Sequence, residues 1–365
     1  MIRVLWLVRS NLRSRPGGDT TQILRTKEAL HELGAQVTLS SEAQPRLLDY
    51  DLVHLFHLDR VWQNLLWVKQ IRASGVPAVM SPIYWPTFEF DRLGRRGLQG
   101  SLSRKLGSMR YAGLRALQHS VISSWVGHDL SILQPGVLHF EDSVRSILDS
   151  VHALLPNSRA EQLEIERHFG ALAPSHLIPN AVDVSIFRPP RDEARRSAQQ
   201  VIYVGRIEPR KNQLGLIRAL SGTPIQLAVI GQPARFGHRY ARQCRRAAGP
   251  NVTFHGWQAP SALARYYREA QVHACTSWYE TPGLASLEAA ASGCQLVATD
   301  RGATREYFGD QIEYCSPNDP ASIRSAVEKA MIRESNMLLR DHIAKELTWR
   351  KAGERTLAVY HETLK

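Results

Sequence analysis

From Met1 to the C-terminus, short runs of β-branched and aliphatic residues alternate with longer stretches of helical periodicity. That alternation permits few folds. Consecutive parallel strands need a long crossover, a helix supplies it, and the resulting sheet is covered by helices on both faces. In the first half the expected strands are Met1–Val8, Gln36–Leu39, Leu52–Phe56 and Val151–Leu155. Thr20–Leu33 reads as a helix stopped by Gly34, and Ser158 with Glu161 as a capping box opening a helix closed by Gly170. The polar stretch RDEARRSAQQ, residues 191–200, precedes a second alternating unit that begins at Val201, which places a hinge near 185–198. A chain of 365 residues is long enough for two such domains, each with its own core.

Within the second unit, Glu280 and Glu288 bracket a Pro-Gly helix start. The apolar run from Val272 to Ser277 reads as a strand, and LASLEAAASG, closed by Gly293, as a helix of small residues. Glu280 therefore falls in the loop and Glu288 on the second helical turn. Pro282 suits a first helical position, Gly283 lets a ligand approach the backbone, and the free N–H groups of a helix start attract anions. Two carboxylates repel a diphosphate but accept from hydroxyl groups attached to it, so the ligand implied is a nucleotide sugar. Glu288 alone also reads as a solvated helix residue. The apolar run from Val201 leads straight into Gly205, Arg206 and Lys211. Ligands of open parallel sheets sit beyond the carboxyl ends of the strands, where Arg206 and Lys211 are placed to hold phosphate. A solvated basic turn is the alternative for these two cations taken by themselves.

In order, the Gly17-Gly18 pair, IPNAVDVSIFRP at 178–189, YVGRIEPRKN at 203–212 and ETPGLASLEAAASG at 280–293 resemble the retaining glycosyltransferases of family 4. The resemblance runs over nearly the whole chain. It implies an α/β chain of the GT-B fold, two Rossmann-like domains with parallel sheets facing each other across a cleft. Residues 1–190 would form the acceptor domain, 191–347 the nucleotide-sugar donor domain, and 348–365 a helix returning to the first domain. Arg206 and Lys211 would bind the donor diphosphate with the helix start at Gly283 and Leu284. Glu280 would contact the sugar as the catalytic carboxylate, Glu288 the ribose hydroxyls, and Gly18 would face the donor. The implied reaction retains anomeric configuration, needs no metal or cofactor besides the donor substrate, and follows domain closure that excludes water. The chain departs from the family's pattern at Pro282, where relatives commonly carry a large apolar residue, and near Tyr84 and Trp85, where many relatives have a histidine.

The remaining features divide into candidates and ordinary structure. His57, just past a strand end, is a candidate acceptor ligand or base, and Tyr84 a candidate sugar contact; a structural histidine and a packing ring are the alternatives. Asp49 and Asp51 form a D-x-D, but they precede a strand instead of following one, which argues against a metal site. Cys244, Cys275, Cys294 and Cys315 lack metal-ligand or disulfide spacing and read as reduced core thiols. No run is apolar and long enough for a signal peptide or a membrane span, so a cytoplasmic protein is expected. The net charge is +12, and Arg92, Arg95, Arg96, Arg104, Lys105, Arg110 and Arg115 follow one another without an intervening acid. Interleaved with Leu, Met and Tyr, this run suits an anionic membrane surface, with a solvated loop as the alternative. Charge alone would also allow a nucleic-acid-binding protein, but no such signature is present and nucleic acid is not an expected partner. A sugar-nucleotide epimerase of the same fold is the closer alternative; a phosphorylase would need a pyridoxal phosphate lysine in an apolar setting. The acceptor expected is a glycan or lipid-linked saccharide of cell-surface polysaccharide synthesis. Mannose is the preferred sugar, by similarity to bacterial enzymes of that kind.

Overall fold

A computed structural model describes residues 1–95, 97–127, 135–170, 173–190, 199–235, 237–281, 283–334 and 337–365. Arg96, Pro282 and most of the expected hinge lie outside the described residues. The chain divides into two compact units, the first formed by Met1–Asp91, Gly97–Asn180 and Trp349–Lys365 and the second chiefly by Ala181–Thr348. The division falls at Asn180 because the following residues are held inside the second unit: Val182 N donates to Leu347 O at 2.9 Å, and the Phe187 ring meets the Tyr267 ring edge-on.

The first unit is built on β1 (Arg3–Leu7), β2 (Gln36–Ser40), β3 (Leu52–Phe56), β4 (Ala78–Ser81) and β5 (Ala153–Leu154), in the order β2-β1-β3-β4-β5 and parallel throughout. Its central strands are apolar on both faces. Leu5, Leu7, Val53 and Leu55 enter one core, and Val4, Trp6, Leu52 and Phe56 the other, as burial under two helical layers requires. The expected helix start at Ser158 is present: Ser158 Oγ accepts from Glu161 N at 3.0 Å, and the buried Glu161 carboxylate accepts from the amides of Asn157 and Tyr84.

The second unit carries β6 (Gln200–Val204), β7 (Gln226–Ile230), β8 (Val252–His255), β9 (Val272–Cys275), β10 (Gln295–Thr299) and β11 (Glu313–Cys315). Their order is β11-β10-β9-β6-β7-β8, again all parallel. In both sheets the order reverses once, between β1 and β3 in the first and between β6 and β9 in the second. Such switch points leave a crevice beyond the strand ends because the flanking connections depart in opposite directions. Both units therefore offer one predefined place for a ligand.

The last helix, Trp349–Thr363, packs in the first unit. Ala352, Gly353, Thr356, Val359 and Tyr360 form its buried stripe, and Gly353 permits a close crossing, since a Cβ there would lie 2.8 Å from the Ala29 Cβ. Tyr360 then enters a buried polar chain. Trp6 Nε1 donates to Tyr360 Oη at 2.9 Å, Oη lies 2.6 Å from His54 Nδ1, and His54 Nε2 lies 2.9 Å from Ser81 Oγ. Burial pushes His54 down to about 3, so its ring is neutral and Nδ1 accepts the hydrogen bond that the tyrosine hydroxyl donates. Tyr360→Phe strands the Trp6 and His54 nitrogens without changing ring volume. Urea unfolding should show a loss of about 2–4 kcal/mol; a loss below about 0.5 kcal/mol would show that the chain of bonds does not secure the helix.

Candidate functional site

The loops after β6 and β9 meet at the second unit's switch point and are stitched together by polar links. Trp278 N donates to Arg210 O at 2.9 Å, Arg210 Nη1 to Tyr279 O at 3.2 Å, and Asn212 Nδ2 to Thr276 O at 3.2 Å. The Arg210 guanidinium also lies 4.9 Å over the Tyr279 ring and pairs with Glu208 at 3.0 Å. A further link joins two of the residues singled out by sequence: Lys211 Nζ is bonded to Glu280 Oε1.

Glu280 is held from every side. Its side chain is 7% exposed, and its carbonyl accepts from Ala303 N at 2.9 Å, which fixes it to the loop after β10. Gly302 makes that approach possible: its φ is 86°, and a Cβ there would lie 1.9 Å from Glu280 O. Cys275 Sγ stands 3.5 Å from Glu280 Oε1, and Ser277 is a further partner. Burial alone would raise the Glu280 carboxyl above its ordinary value, but the Lys211 ammonium and Arg210 guanidinium outweigh it and bring it to about 2. Glu280 is a permanent carboxylate at physiological pH.

Gly283 precedes the helix Leu284–Ala291 with φ 93° and no side-chain cap, and a Cβ on it would come within 3.4 Å of Glu280 Cγ. The helix start and Glu280 are thus neighbours. Glu288, on the next turn, accepts from Tyr267 Oη at 3.1 Å. Burial pushes its carboxyl up to about 7, against the lowering effect of the tyrosine. The two glutamates are consequently opposite in character, one fixed as an anion and the other poised near neutrality. Arg206 is exposed and, among the described residues, its side chain makes no hydrogen bond, while its carbonyl accepts from Gln213 Nε2 at 2.7 Å. The surroundings can hold an anionic group between Arg206, Lys211 and the helix start, and hydroxyl groups on the two carboxylates.

Other singled-out residues lie in the first unit. Gly18 begins the helix Gly18–Glu32, whose second residue, Asp19, accepts from Arg9 Nε at 2.6 Å and lies 3.3 Å from His57 Nε2. His57 stands past β3 with a left-handed φ of 64°, and its carbonyl accepts from Asn64 Nδ2 at 2.8 Å. Gly18, Asp19 and His57 thus gather at that unit's own switch point. Tyr84 is buried, with its ring edge-on to Phe169 at 5.8 Å. Asp51 is occupied by Arg3, whose amide and guanidinium it accepts at 2.7 and 3.1 Å. All four cysteines are buried, and none is in a disulfide. Sequence reasoning passed over Arg210, Gly302, Asp19 and Tyr267; only Arg210 carried a signal, its place between Arg206 and Lys211.

Residues 189–346 match the family model described as glycosyl transferases group 1. The match falls on the second half of the chain. Arg206, Lys211, Glu280, Gly283 and Glu288 all lie inside it. A D-inositol 3-phosphate glycosyltransferase of Jonesia denitrificans is 27% identical over 247 residues, covering 60% of this chain and 58% of that protein. The chain spans about half the length of most of the curated relatives it matches. Among solved structures, sucrose-phosphate synthase from Thermosynechococcus elongatus superposes with a TM-score of 0.74 at 17% identity, covering 99% of both chains. Anabaena HepE in complex with UDP-glucose gives 0.69 at 14% identity, covering 99% of this chain and 100% of its own. At these identities the likeness is one of fold, the two-unit α/β GT-B architecture.

The central pair of the second unit can be tested directly. Lys211→Ala leaves a buried carboxylate without its cation and should destabilise the protein by about 3–5 kcal/mol. Lys211→Met with Glu280→Gln removes both charges and should recover most of that loss, whereas Arg206→Ala stays within about 0.5 kcal/mol. Because its folded pKa lies below the ordinary value of 4.5, Glu280 contributes in full above about pH 4.5 and loses its contribution as pH falls toward 2. Denaturation of wild type and Glu280→Gln across that window should show their stability gap closing; a constant gap would contradict the pairing.

Proposed function

We propose that the protein is a metal-independent retaining glycosyltransferase that moves a sugar from a nucleoside-diphosphate sugar to a glycan or lipid-linked acceptor in cell-surface polysaccharide synthesis. The observation that carries this reading is the Lys211–Glu280 pair, fixed between two strand-end loops and next to an uncapped helix start. In this proposal Arg206, Lys211 and the amides at Gly283 and Leu284 hold the diphosphate, Glu280 orients the sugar hydroxyls and Glu288 the ribose. Gly18 serves the donor, and His57, backed by Asp19, serves the acceptor. The bond from the anomeric carbon to the diphosphate oxygen breaks, with its electron pair leaving on the diphosphate. The acceptor oxygen bonds to that carbon from the same face, and its proton passes to a diphosphate oxygen. Cations and helix amides stabilise the charge that grows on the leaving group.

Mannose on a guanosine diphosphate is the first donor in this reading; the HepE complex makes UDP-glucose the second. Among acceptors, the relatives' names add D-inositol 3-phosphate to a lipid-linked glycan. The protein is further read as peripheral at the cytoplasmic face of a membrane. In support, the helix Gly97–Leu106 buries only Gly100 and Ser103, while Leu98 is 90% and Leu102 41% exposed beside exposed Arg104 and Lys105. Apolar side chains enter the headgroup boundary, and each nearby cation adds up to about 1 kcal/mol on an anionic leaflet. No helix among the described residues is long and apolar enough to cross a membrane.

The test is a donor panel read out as nucleoside diphosphate released and sugar incorporated, with acceptors free or carried in anionic vesicles. Wild type should release the nucleoside diphosphate with one donor, and Arg206→Ala should reduce kcat/KM by about 30-fold or more without lowering stability. Conversion of one nucleotide sugar into another would favour an epimerase. Full activity of Arg206→Ala would move the donor elsewhere. The protein should sediment with anionic vesicles at low salt and less at high salt; failure to sediment would remove the membrane and leave a soluble acceptor.

A further inference from the structure

Glu288 is assigned above to the ribose, yet its helix alone does not fix where its carboxylate points. The fixing group comes from the preceding helix, Pro260–Glu269. Tyr267 is fully buried, and its hydroxyl donates to Glu288 Oε2 at 3.1 Å. Its ring cannot turn away, because it stands edge-on between Phe187 and His273, each at 5.9 Å. Its carbonyl in turn accepts from Cys294 Sγ at 3.0 Å, just beyond the end of the Glu288 helix. A rigid donor therefore reaches one carboxylate oxygen from the protein interior.

We propose that Tyr267 is a positioning residue of the nucleotide site, which fixes the Glu288 carboxylate from behind so that it meets the ribose hydroxyls as an anion. The proposal rests on the ribose reading of Glu288. A donated hydrogen bond favours the ionised form of a carboxyl, and burial opposes it. Here burial prevails and leaves Glu288 at about 7, so the hydroxyl of Tyr267 acts where a modest change alters the ionised fraction most. The other elements packed around this helix bring no competing charge. Burial keeps His273 of β9 neutral, at about 3, and β10 carries no ionisable group. Helix Met337–Glu346 turns Leu339 and Ile343 inward while Asp341, His342 and Lys345 are exposed, and Arg340 pairs with Asp341 at 2.9 Å. Lys211 and Glu280 pair with each other.

The test is the pH profile of nucleotide affinity. GDP and UDP are titrated from pH 6 to pH 9 against wild type, Tyr267→Phe, Glu288→Gln and the double variant, with thermal midpoints recorded to check folding. Dividing each dissociation constant by that of Glu288→Gln at the same pH removes the titration of the nucleotide itself. Wild-type affinity should then rise with pH through about 7, as Glu288 ionises. Tyr267→Phe should move this rise to higher pH, binding about threefold to tenfold more weakly at pH 7 and narrowing to a smaller residual deficit, that of the lost positioning, by about pH 9. Adding Tyr267→Phe to Glu288→Gln should change affinity less than about twofold. A loss of the same factor at every pH would make Tyr267 merely structural. Wild-type binding by Tyr267→Phe, with Glu288→Gln impaired, would overturn the positioning role alone, whereas Glu288→Gln indistinguishable from wild type would overturn the ribose reading beneath it.

Discussion

The second unit depends on a buried ion pair, Lys211 with Glu280, at the junction of two strand-end loops. Taking a carboxylate out of water costs several kcal/mol, and the cost is offset only where a cation and hydrogen bonds meet it. Much of the surrounding structure serves that end. Arg210 adds a second cation and binds the Tyr279 carbonyl, Asn212 ties one loop to the other, and Gly302 brings the third loop against Glu280 O. The outcome is an anion whose position is set by three loops, each leaving a different strand of one sheet.

Sheet topology decides that these loops meet at all. β6 and β9 are separated by two strands in the sequence but are neighbours in the sheet, so the residues following them converge. The first unit repeats the arrangement with different chemistry. There β1 and β3 are neighbours, and Arg9, Asp19 and His57 gather beyond their ends. An anion paired with a guanidinium and an imidazole suits the recognition of hydroxyl groups, and the left-handed backbone of His57 marks a conformation that non-glycine residues adopt only under constraint.

The fold was legible because parallel strands buried on both faces are continuous apolar runs, and β1 and β3 lie where such runs occur, while the edge strand β2 is only partly buried. The strand expected at Val151–Leu155 pairs over only Ala153–Leu154, because it is an edge strand that meets β4 along two residues. The Glu280–Glu288 spacing and the cations after β6 were visible as motifs. Their pairing was not, since local sequence does not reveal that β9 lies beside β6. Tyr267 was hidden for a similar reason: it precedes Glu288 by a strand and a loop, and only helix packing brings the two within hydrogen-bond distance. The aromatic Tyr84 illustrates the reverse, a residue whose type fits a sugar platform while its ring is packed against Phe169.

The central claim is that the loops after β6 and β9 hold a nucleoside diphosphate. A crystal structure of the protein with GDP or UDP bound tests it most directly. The account predicts the diphosphate oxygens against the Arg206 guanidinium, the Lys211 ammonium and the Leu284 amide, with the ribose hydroxyls on Glu288. A nucleotide well ordered in the second unit but with its diphosphate away from Arg206 and from the start of the Leu284–Ala291 helix would contradict it.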